Sequence, residues 1–477
     1  MGGNSVRRVR KFSCKKAAGR KSLKSNQKKG VEMANSEDVE FQHGFIGNTG
    51  RTASESAETF RRTEHPEAQW YPGAGLGMFI HWGIASVAGC LDLSWGMIKS
   101  PAKSAEKNVA RYGLPARGLQ VSPNHYWALA EKFTADRYDP DKWLRAAAAA
   151  GVKYCVMTTK HHDGFALWPS NYGDLNTKNY LNGRDLVGEY VAACRKNGLK
   201  VGFYYSPPDW RMDREYMNFS RDPEHPVLGV DYTLVVPKEK TPEHAEELRR
   251  YRRGQIEELL TRYGKIDYFW FDGFGEECIS FARMRELQPQ IVVNDRGMLY
   301  GDVITQGSEG GMPKERRPGK WWEYCDVFAD GAWGYLDYEV YKPAGWFLAE
   351  LGKARSWDGN FLPNVAPDSH GELPPQYYKR MEQIGAWMKE NSRAIYGVRG
   401  THWPEKSNMP ITVNGDTWFI HATWLCDYPI VISDVEKPAS LHLKGEDVPF
   451  HYENRTLTFE VPWHLKSNLT DIVELKF

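Results

Sequence analysis

One apolar stretch decides the fold, and it reads Ile266-Asp267-Tyr268-Phe269-Trp270-Phe271-Asp272-Gly273. Such a run predicts a buried strand, and the glycine after Asp272 permits a sharp exit from it. A helix-like segment over residues 242–263 precedes the stretch and ends at Gly264, a typical helix terminus. The pattern therefore predicts a helix that leads directly into a strand, with Asp272 at the carboxyl end of that strand.

The same plan repeats on both sides of this stretch. Strands are predicted over residues 77–83, 154–160, 199–206, 266–272 and 291–296, and more weakly over 322–328. Helices are predicted over residues 139–151 and 185–196, each followed at once by a strand. Repeated steps of this kind are typical of a wound parallel architecture. We therefore expect an α/β protein with a (β/α)8 TIM-like barrel and long active-site loops over residues 98–125 and 207–240.

Composition divides the chain of 477 residues into three parts. Residues 1–62 hold few large apolar side chains, and the first thirty contain eleven Lys or Arg and no acid, which predicts a basic, disordered tail. Residues 63–396 are assigned to the barrel. Residues 397–477 show short alternating runs separated by turns, which predicts a C-terminal antiparallel β-sandwich.

Charge and cysteine content exclude several classes of protein. Outside the first thirty residues the chain has 51 basic and 61 acidic residues, so a basic nucleic-acid-binding face is not expected. The seven cysteines form no CxxC pair, and no apolar run has the length of a signal peptide or a membrane span. We expect a cytoplasmic protein without nucleic-acid or membrane partners, and the sequence does not indicate an oligomeric state.

Polar residues follow one predicted strand after another. They are His81, His161-His162-Asp163, Tyr204-Tyr205-Ser206, Asp272 and Asn294-Asp295-Arg296. Since the carboxyl ends of barrel strands meet at one pocket, these side chains are expected to converge. A nucleophile needs a fixed, ionised carboxylate, and a strand end supplies rigidity. Asp272 is therefore the candidate nucleophile, and a nearby Arg296 is expected to keep its pKa low.

A metal site is the competing interpretation of the histidines. Metal-dependent barrel hydrolases usually gather several histidines with a carboxylate, often from a His-x-His pair on the first strand. Here the first strand offers only His81. Neutral imidazoles that hydrogen-bond to the hydroxyls of a ligand account for His161 and His162 without an ion, so we predict no metal and no other cofactor.

The ordered motifs resemble a known family. They are Gly77-Met78-Phe79-Ile80-His81-Trp82-Gly83, Thr159-Lys160-His161-His162-Asp163-Gly164-Phe165, Tyr204-Tyr205-Ser206, Trp270-Phe271-Asp272-Gly273, Asn294-Asp295-Arg296, Trp322-Glu323, Trp333-Gly334-Tyr335 and Asn360-Phe361-Leu362-Pro363-Asn364-Val365-Ala366-Pro367. The set is similar to that of the α-L-fucosidases, family 29 of the glycoside hydrolases.

This resemblance implies a retaining exo-glycosidase that releases terminal α-L-fucose from a glycan or glycoside through a covalent fucosyl-Asp intermediate. It implies Asp272 as the nucleophile and a set of positions in the fucose pocket. Those positions are His81, Trp95, His161, His162, Tyr205, Trp270, Arg296 and Trp333.

Two departures from the family pattern raise alternatives. Members often have Glu-Trp where this chain has Ser94-Trp95, so one hydroxyl-binding carboxylate is missing. The acid/base Glu often follows Gly-Asp-x-x-Thr-x, whereas Gly307 follows that motif here and the next acid is Glu309. We expect Glu309 as acid/base, with Glu315 as the alternative and Glu323 as a structural acid. A catalytically impaired homologue that binds fucose, or a metal-dependent barrel hydrolase, are the alternative functions.

Overall fold

A computed structural model describes most of the chain beyond the basic tail. The described residues are 60–99, 120–221, 227–273, 278–298, 300–306, 312–313, 315–330, 332–424 and 426–477. All but the last three residues of the predicted tail lie outside these ranges. Within them, no helix is both long and apolar enough to cross a membrane.

Eight parallel strands of the described chain form the barrel. In chain order the strands up to the end of the barrel are β1 Gly77–Ile80, β2 Tyr154–Lys160, β3 Lys200–Tyr205, β4 Tyr268–Phe271, β5 Val292–Val293, β6 Val303–Gln306, β7 Trp321–Val327, the ribbon β8 Ala329–Asp330 with β9 Val340–Tyr341, and β10 Asn360–Val365. The barrel strands pair in the order β5-β4-β3-β2-β1-β10-β7-β6. A parallel bridge between Asn294 and Val303 joins β5 to β6 and closes the ring.

Helices connect these strands. They are α1 Pro123–Trp127, α2 Pro140–Ala149, α3 Thr177–Tyr180, α4 Leu186–Lys196, α5 Pro242–Arg262, α6 Phe281–Leu287, α7 Ala344–Ser356 and α8 Pro375–Asn391. The carboxylates of Asp139 and Asp185 cap α2 and α4 by accepting from the backbone N–H of Lys142 and Gly188. These caps fix where each helix starts after its loop, and the expected (β/α)8 barrel is confirmed.

The C-terminal region is built from two antiparallel sheets. Its strands are β11 Arg399–Thr401, β12 Ile411–Asn414, β13 Thr417–Ala422, β14 Ile430–Ser433, β15 Ser440–Leu443, β16 Glu446–Asp447, β17 Phe450–Glu453, β18 Thr456–Phe459 and β19 Asp471–Lys476. One sheet has the order β11-β12-β13-β19-β15-β16 and the other β14-β18-β17. Ile420, Ile432, Leu457 and Val473 belong to the apolar core of this region. The predicted β-sandwich is confirmed.

Side-chain alternation along the strands decides which residues enter the barrel. Tyr204 on β3 pairs in register with Trp270 on β4, and both belong to the buried cluster inside the barrel. Phe79 and Tyr154 contribute to the same cluster from β1 and β2. Because successive residues of a strand point to opposite faces, the neighbours of these residues point towards the helices.

Candidate active site

Asp272 directly follows β4 and lies at the carboxyl end of the barrel. Its backbone N–H donates to the carbonyl of Tyr205 at 3.0 Å, which continues the strand pairing through the catalytic candidate. Gly273 has φ +94°, a conformation that glycine adopts readily, so the chain turns away at once. The carboxylate is thus held on a rigid strand end, and its side chain keeps 16% of its surface exposed.

Both oxygens of the Asp272 carboxylate accept hydrogen bonds. Tyr204 donates its hydroxyl to Oδ2 at 2.7 Å, and Arg296 donates from Nη2 to Oδ1 at 2.6 Å. Burial raises the pKa of Asp272, but the charge of Arg296 opposes it, and His162 and the Arg296 hydrogen bond add to that opposition. The net pKa lies below the ordinary value, so the carboxylate is ionised as a nucleophile requires.

Three buried histidines surround this carboxylate. His161 and His162 have ring centroids 4.2 Å apart, and His81 lies 6.2 Å from His161. Nε2 of His162 is 3.6 Å from Oδ2 of Asp272. Burial is the main cause that lowers the pKa of His81 and of His162 to about 4, and it lowers that of His161 well below its usual range. All three imidazoles are therefore neutral near pH 7.

The partners of Nδ1 fix the tautomers of two of these histidines. Asn364 donates its amide N–H to the carbonyl of Trp333 at 2.8 Å, so its Oδ1 accepts from Nδ1 of His81 at 2.7 Å. Ser206 donates its hydroxyl to the carbonyl of Pro208 and therefore accepts from Nδ1 of His162 at 2.5 Å. In both rings Nε2 keeps its lone pair and can accept a hydrogen bond from a ligand hydroxyl.

Tryptophan rings form walls beside the histidines. Trp333 lies 5.2 Å from the His81 ring, and Trp95 lies 5.4 Å from the His162 ring. Trp270 carries the guanidinium of Arg296 5.2 Å above its ring. Aromatic rings next to hydrogen-bonding groups suit a sugar, which has both apolar faces and hydroxyls. The predicted pocket positions apart from Tyr205 are thus brought together around Asp272.

Tyr205 is placed elsewhere. Its hydroxyl donates to Oε1 of Gln255 on α5 at 2.9 Å, so its ring lies between the barrel wall and that helix. Tyr204 occupies the inner face instead and stacks on His161 with ring centroids 5.6 Å apart. The pocket expectation for Tyr205 is corrected to Tyr204, because the strand pleat sends neighbouring side chains to opposite faces.

Comparison with known proteins identifies the family. Residues 48–393 match the model described as Alpha-L-fucosidase. The chain belongs to the alpha-L-fucosidase family. Tissue alpha-L-fucosidase of Rattus norvegicus is 29% identical over 385 residues, which cover 76% of each chain. Alpha-L-fucosidase of Dictyostelium discoideum is 26% identical and covers 83% of this chain and 89% of its own.

Solved fucosidase structures agree. Alpha-L-fucosidase isoenzyme 1 from Paenibacillus thiaminolyticus superposes with a TM-score of 0.67 at 28% identity and covers 86% of this chain and 98% of its own. The Thermotoga maritima alpha-fucosidase in complex with fucose gives 0.63 at 29% identity and covers 85% and 96%. The expected membership of the alpha-L-fucosidase family is confirmed, and the chain is a glycoside hydrolase of this family.

A second carboxyl group is needed for fucosidase chemistry, and the sequence offers Glu309, Glu315 and Glu323 as candidates. Glu323 accepts from the hydroxyls of Tyr71, Tyr154 and Tyr268, from the indole N–H of Trp270 and from Thr305. These five donors occupy its oxygens, which leaves it no free site for proton transfer. Glu315 is exposed to solvent, and Glu309 lies outside the described residues. Glu323 thus has the contacts of a scaffold residue.

The metal interpretation can be weighed against the same geometry. Among the described residues, His161, His162 and Asp272 offer ligand atoms that all lie within 4.8 Å of one another. The guanidinium of Arg296 already binds Asp272, however, and its positive charge would repel a divalent cation bound to the same carboxylate. Tyr204 holds the second carboxylate oxygen. These contacts favour a neutral, hydroxyl-bearing ligand over a metal ion.

Proposed function

We propose that the chain hydrolyses terminal α-L-fucose linked to a glycan or glycoside, with retention at the anomeric carbon and with Asp272 as nucleophile. The observation that carries the proposal is the pairing of Asp272 with Arg296 and Tyr204 beside three neutral histidines. A carboxylate held in this way is ionised, oriented and next to groups that accept hydrogen bonds from sugar hydroxyls.

The reaction takes two steps. An oxygen of Asp272 attacks the anomeric carbon while a protonated carboxyl group gives its proton to the departing oxygen, and a fucosyl ester forms. Water then attacks the same carbon, the second carboxyl group takes its proton, and Asp272 leaves as a carboxylate. Two inversions retain the α configuration. Arg296 stabilises the negative charge of Asp272 before and after the ester.

Glu309 is proposed as the second carboxyl group. A retaining pair requires carboxyl groups about 5 Å apart. Two arguments support Glu309 over the alternatives: Glu323 is saturated by five donors, and Glu315 is exposed to solvent. Glu309 also follows strand β6, which brings the chain to the same end of the barrel as Asp272.

Azide products test the nucleophile. The Asp272→Gly variant is expected to lose turnover of an aryl α-L-fucoside and to form β-L-fucosyl azide when azide is added, because azide then attacks the substrate directly in one inversion. An Asp272→Gly variant with wild-type turnover would overturn the proposal. A wild-type protein that binds fucose without turnover would indicate the impaired homologue instead.

The same reagent distinguishes Glu309 from Glu315. Removal of the acid/base residue leaves the fucosyl ester intact, so azide attacks it in a second inversion and gives α-L-fucosyl azide. We expect this product from Glu309→Gly, with aryl fucosides of good leaving groups least affected. The matched variant Glu315→Gly is expected to retain wild-type rates. The reverse result would assign the acid/base role to Glu315.

A further inference from the structure

Trp210 follows strand β3 in the predicted active-site loop over residues 207–240, and its buried ring lies against the pocket. The indole stacks on the imidazole of His162, with ring centroids 5.0 Å apart and an angle of 27° between the ring planes. Its centroid is also 5.1 Å from that of Trp95, which meets it edge to face at 76°. Trp210 therefore covers one side of a histidine whose Nε2 is 3.6 Å from Oδ2 of Asp272.

A buried ion pair anchors the segment that carries this ring. Oδ2 of Asp209 accepts from Nζ of Lys160 at 2.9 Å, and neither side chain has any exposed surface. Oδ1 of the same carboxylate accepts from the backbone N–H groups of Arg211 and Met212, at 3.1 and 3.0 Å. Since these groups lie directly before and after Trp210 in the chain, the Asp209 carboxylate fixes the backbone on both sides of the ring.

His162 is attached to the same segment at two further points. Its carbonyl accepts from the backbone N–H of Trp210 at 2.7 Å. Its Nδ1 donates to the hydroxyl of Ser206, which in turn donates to the carbonyl of Pro208 at 2.9 Å. The backbone, the Nδ1 atom and one ring face of His162 are therefore all held by residues 206–210, and Nε2 is left for the ligand.

We infer that Trp210 is a positioning residue: its flat ring fixes the plane of the His162 imidazole and keeps water from it, so that Nε2 is directed at a hydroxyl of the bound sugar. A smaller or flexible side chain at this position would leave space into which the imidazole could tilt. The inference rests on the proposed function only for the identity of the ligand.

The charge state of His162 depends on the same contact. The charged and titratable groups around it are Lys160 and His161 at the end of β2, His81 after β1, Asp272 after β4, Arg296 after β5 and Asp209 in the anchored segment. Burial is the main cause that lowers the pKa of His162 to about 4, and the negative charges of Asp272 and Asp209 oppose it. Removal of the Trp210 ring would admit water, so the effect of burial would weaken and the pKa would rise.

Titration of His162 tests the shielding without any turnover. NMR spectra of the ring C–H groups give its pKa, and the His162 signals are identified by their loss in His162→Gln. We expect Trp210→Ala to raise this pKa by roughly one unit or more, and Trp210→Phe to leave it within about half a unit. Trp346→Ala is the matched control and should leave it unchanged, because the Trp346 ring packs on Phe361 outside the barrel. An unchanged pKa in Trp210→Ala would overturn the inference.

Kinetics test the positioning. Trp210→Leu keeps an apolar side chain but lacks a flat face, so we expect kcat/KM for an aryl α-L-fucoside near pH 7.5 to fall roughly tenfold. Trp210→Phe restores a flat face and should recover kcat/KM to within about threefold of the wild type. A Trp210→Leu variant with wild-type kcat/KM, or a Trp210→Phe variant as impaired as Trp210→Leu, would contradict the role of Trp210. If the wild type failed to hydrolyse aryl fucosides, the proposed function would fail, and the titration of His162 would still test the role of Trp210.

Discussion

Asp272 and Glu323 are two carboxylates of the same barrel, and their surroundings differ in kind. Asp272 lies at the rim, with 16% of its side chain exposed, and its partners include the charged Arg296. Glu323 lies inside the barrel with no exposed surface, and its recorded partners are neutral hydroxyl and indole donors. One position is open to a ligand and the other is closed to it.

The pKa values follow the same division. Burial raises the pKa of Glu323, and the hydrogen bonds from the tyrosines and Trp270 oppose that rise only in part. At Asp272 burial also raises the pKa, but the charge of Arg296, the effect of His162 and the Arg296 hydrogen bond together outweigh it, so the net pKa falls. A counter-charge at the rim thus maintains a reactive carboxylate, whereas neutral donors in the interior make a carboxylate part of the scaffold.

The largest expected effect belongs to Asp272. Asp272→Asn keeps the shape of the side chain but removes the proposed nucleophile, so kcat should fall on the order of 10⁴-fold, about 5.5 kcal/mol in activation free energy. The free energy of unfolding, measured in urea, should change far less. A protein that unfolds at markedly lower urea would show that Asp272 is a scaffold residue as well.

Glu323→Leu should give the opposite result. It leaves the donors Tyr71, Tyr154, Tyr268 and Trp270 buried without an acceptor, and we expect unfolding to become easier by about 3–5 kcal/mol. Glu390→Leu on the exposed face of α8 is the control and should change stability by less than about 0.5 kcal/mol. Equal stabilities of the two variants in urea would contradict the scaffold role.

Arg296→Met should make the pKa of Asp272 more like that of Glu323, because it removes the counter-charge of Asp272. Burial then acts on Asp272 without the opposing charge, so its pKa rises and protonation inactivates the enzyme at a higher pH. The acidic limb of the profile of kcat/KM against pH should move upwards, with about 10²-fold lower activity at its maximum. An unmoved acidic limb would mean that Arg296 does not control the ionisation of Asp272.

Chelation should have the smallest effect. Arg296 opposes a cation beside Asp272, and we expect treatment with a chelator followed by dialysis to leave kcat/KM within about twofold. Restoration of a lost activity by zinc would instead support a metal at His161, His162 and Asp272. Metal analysis of the purified protein provides the control.

The barrel could be predicted because the sequence marks the ends of its helices and strands clearly. Gly151 and Gly264 end helices that lead into strands, and polar residues mark the strand ends where the pocket forms. Strands β6 and β10 were not predicted from residue pattern. β6 has only four residues, and β10 contains Pro363, which disfavours a strand assignment.

The sequence predicted which strand ends contribute residues to the pocket, but it did not predict the direction in which each side chain points. Tyr204 and Tyr205 are both buried, so no polar alternation reveals which one faces inwards. The partners of Nδ1, such as Ser94 and Asn364, come from distant segments and carry no local signal. Short polar residues of this type usually serve turns and caps, so their role depends on the tertiary contacts.

The central claim is that Asp272 becomes esterified by the sugar during turnover. A 2-fluoro-fucosyl fluoride slows the second step and allows the ester to accumulate, and peptide mass analysis then locates the added mass. We expect the label on the peptide that contains Asp272, and none on the Asp272→Asn variant. A label on another carboxylate, or turnover with no labelled residue, would contradict the claim.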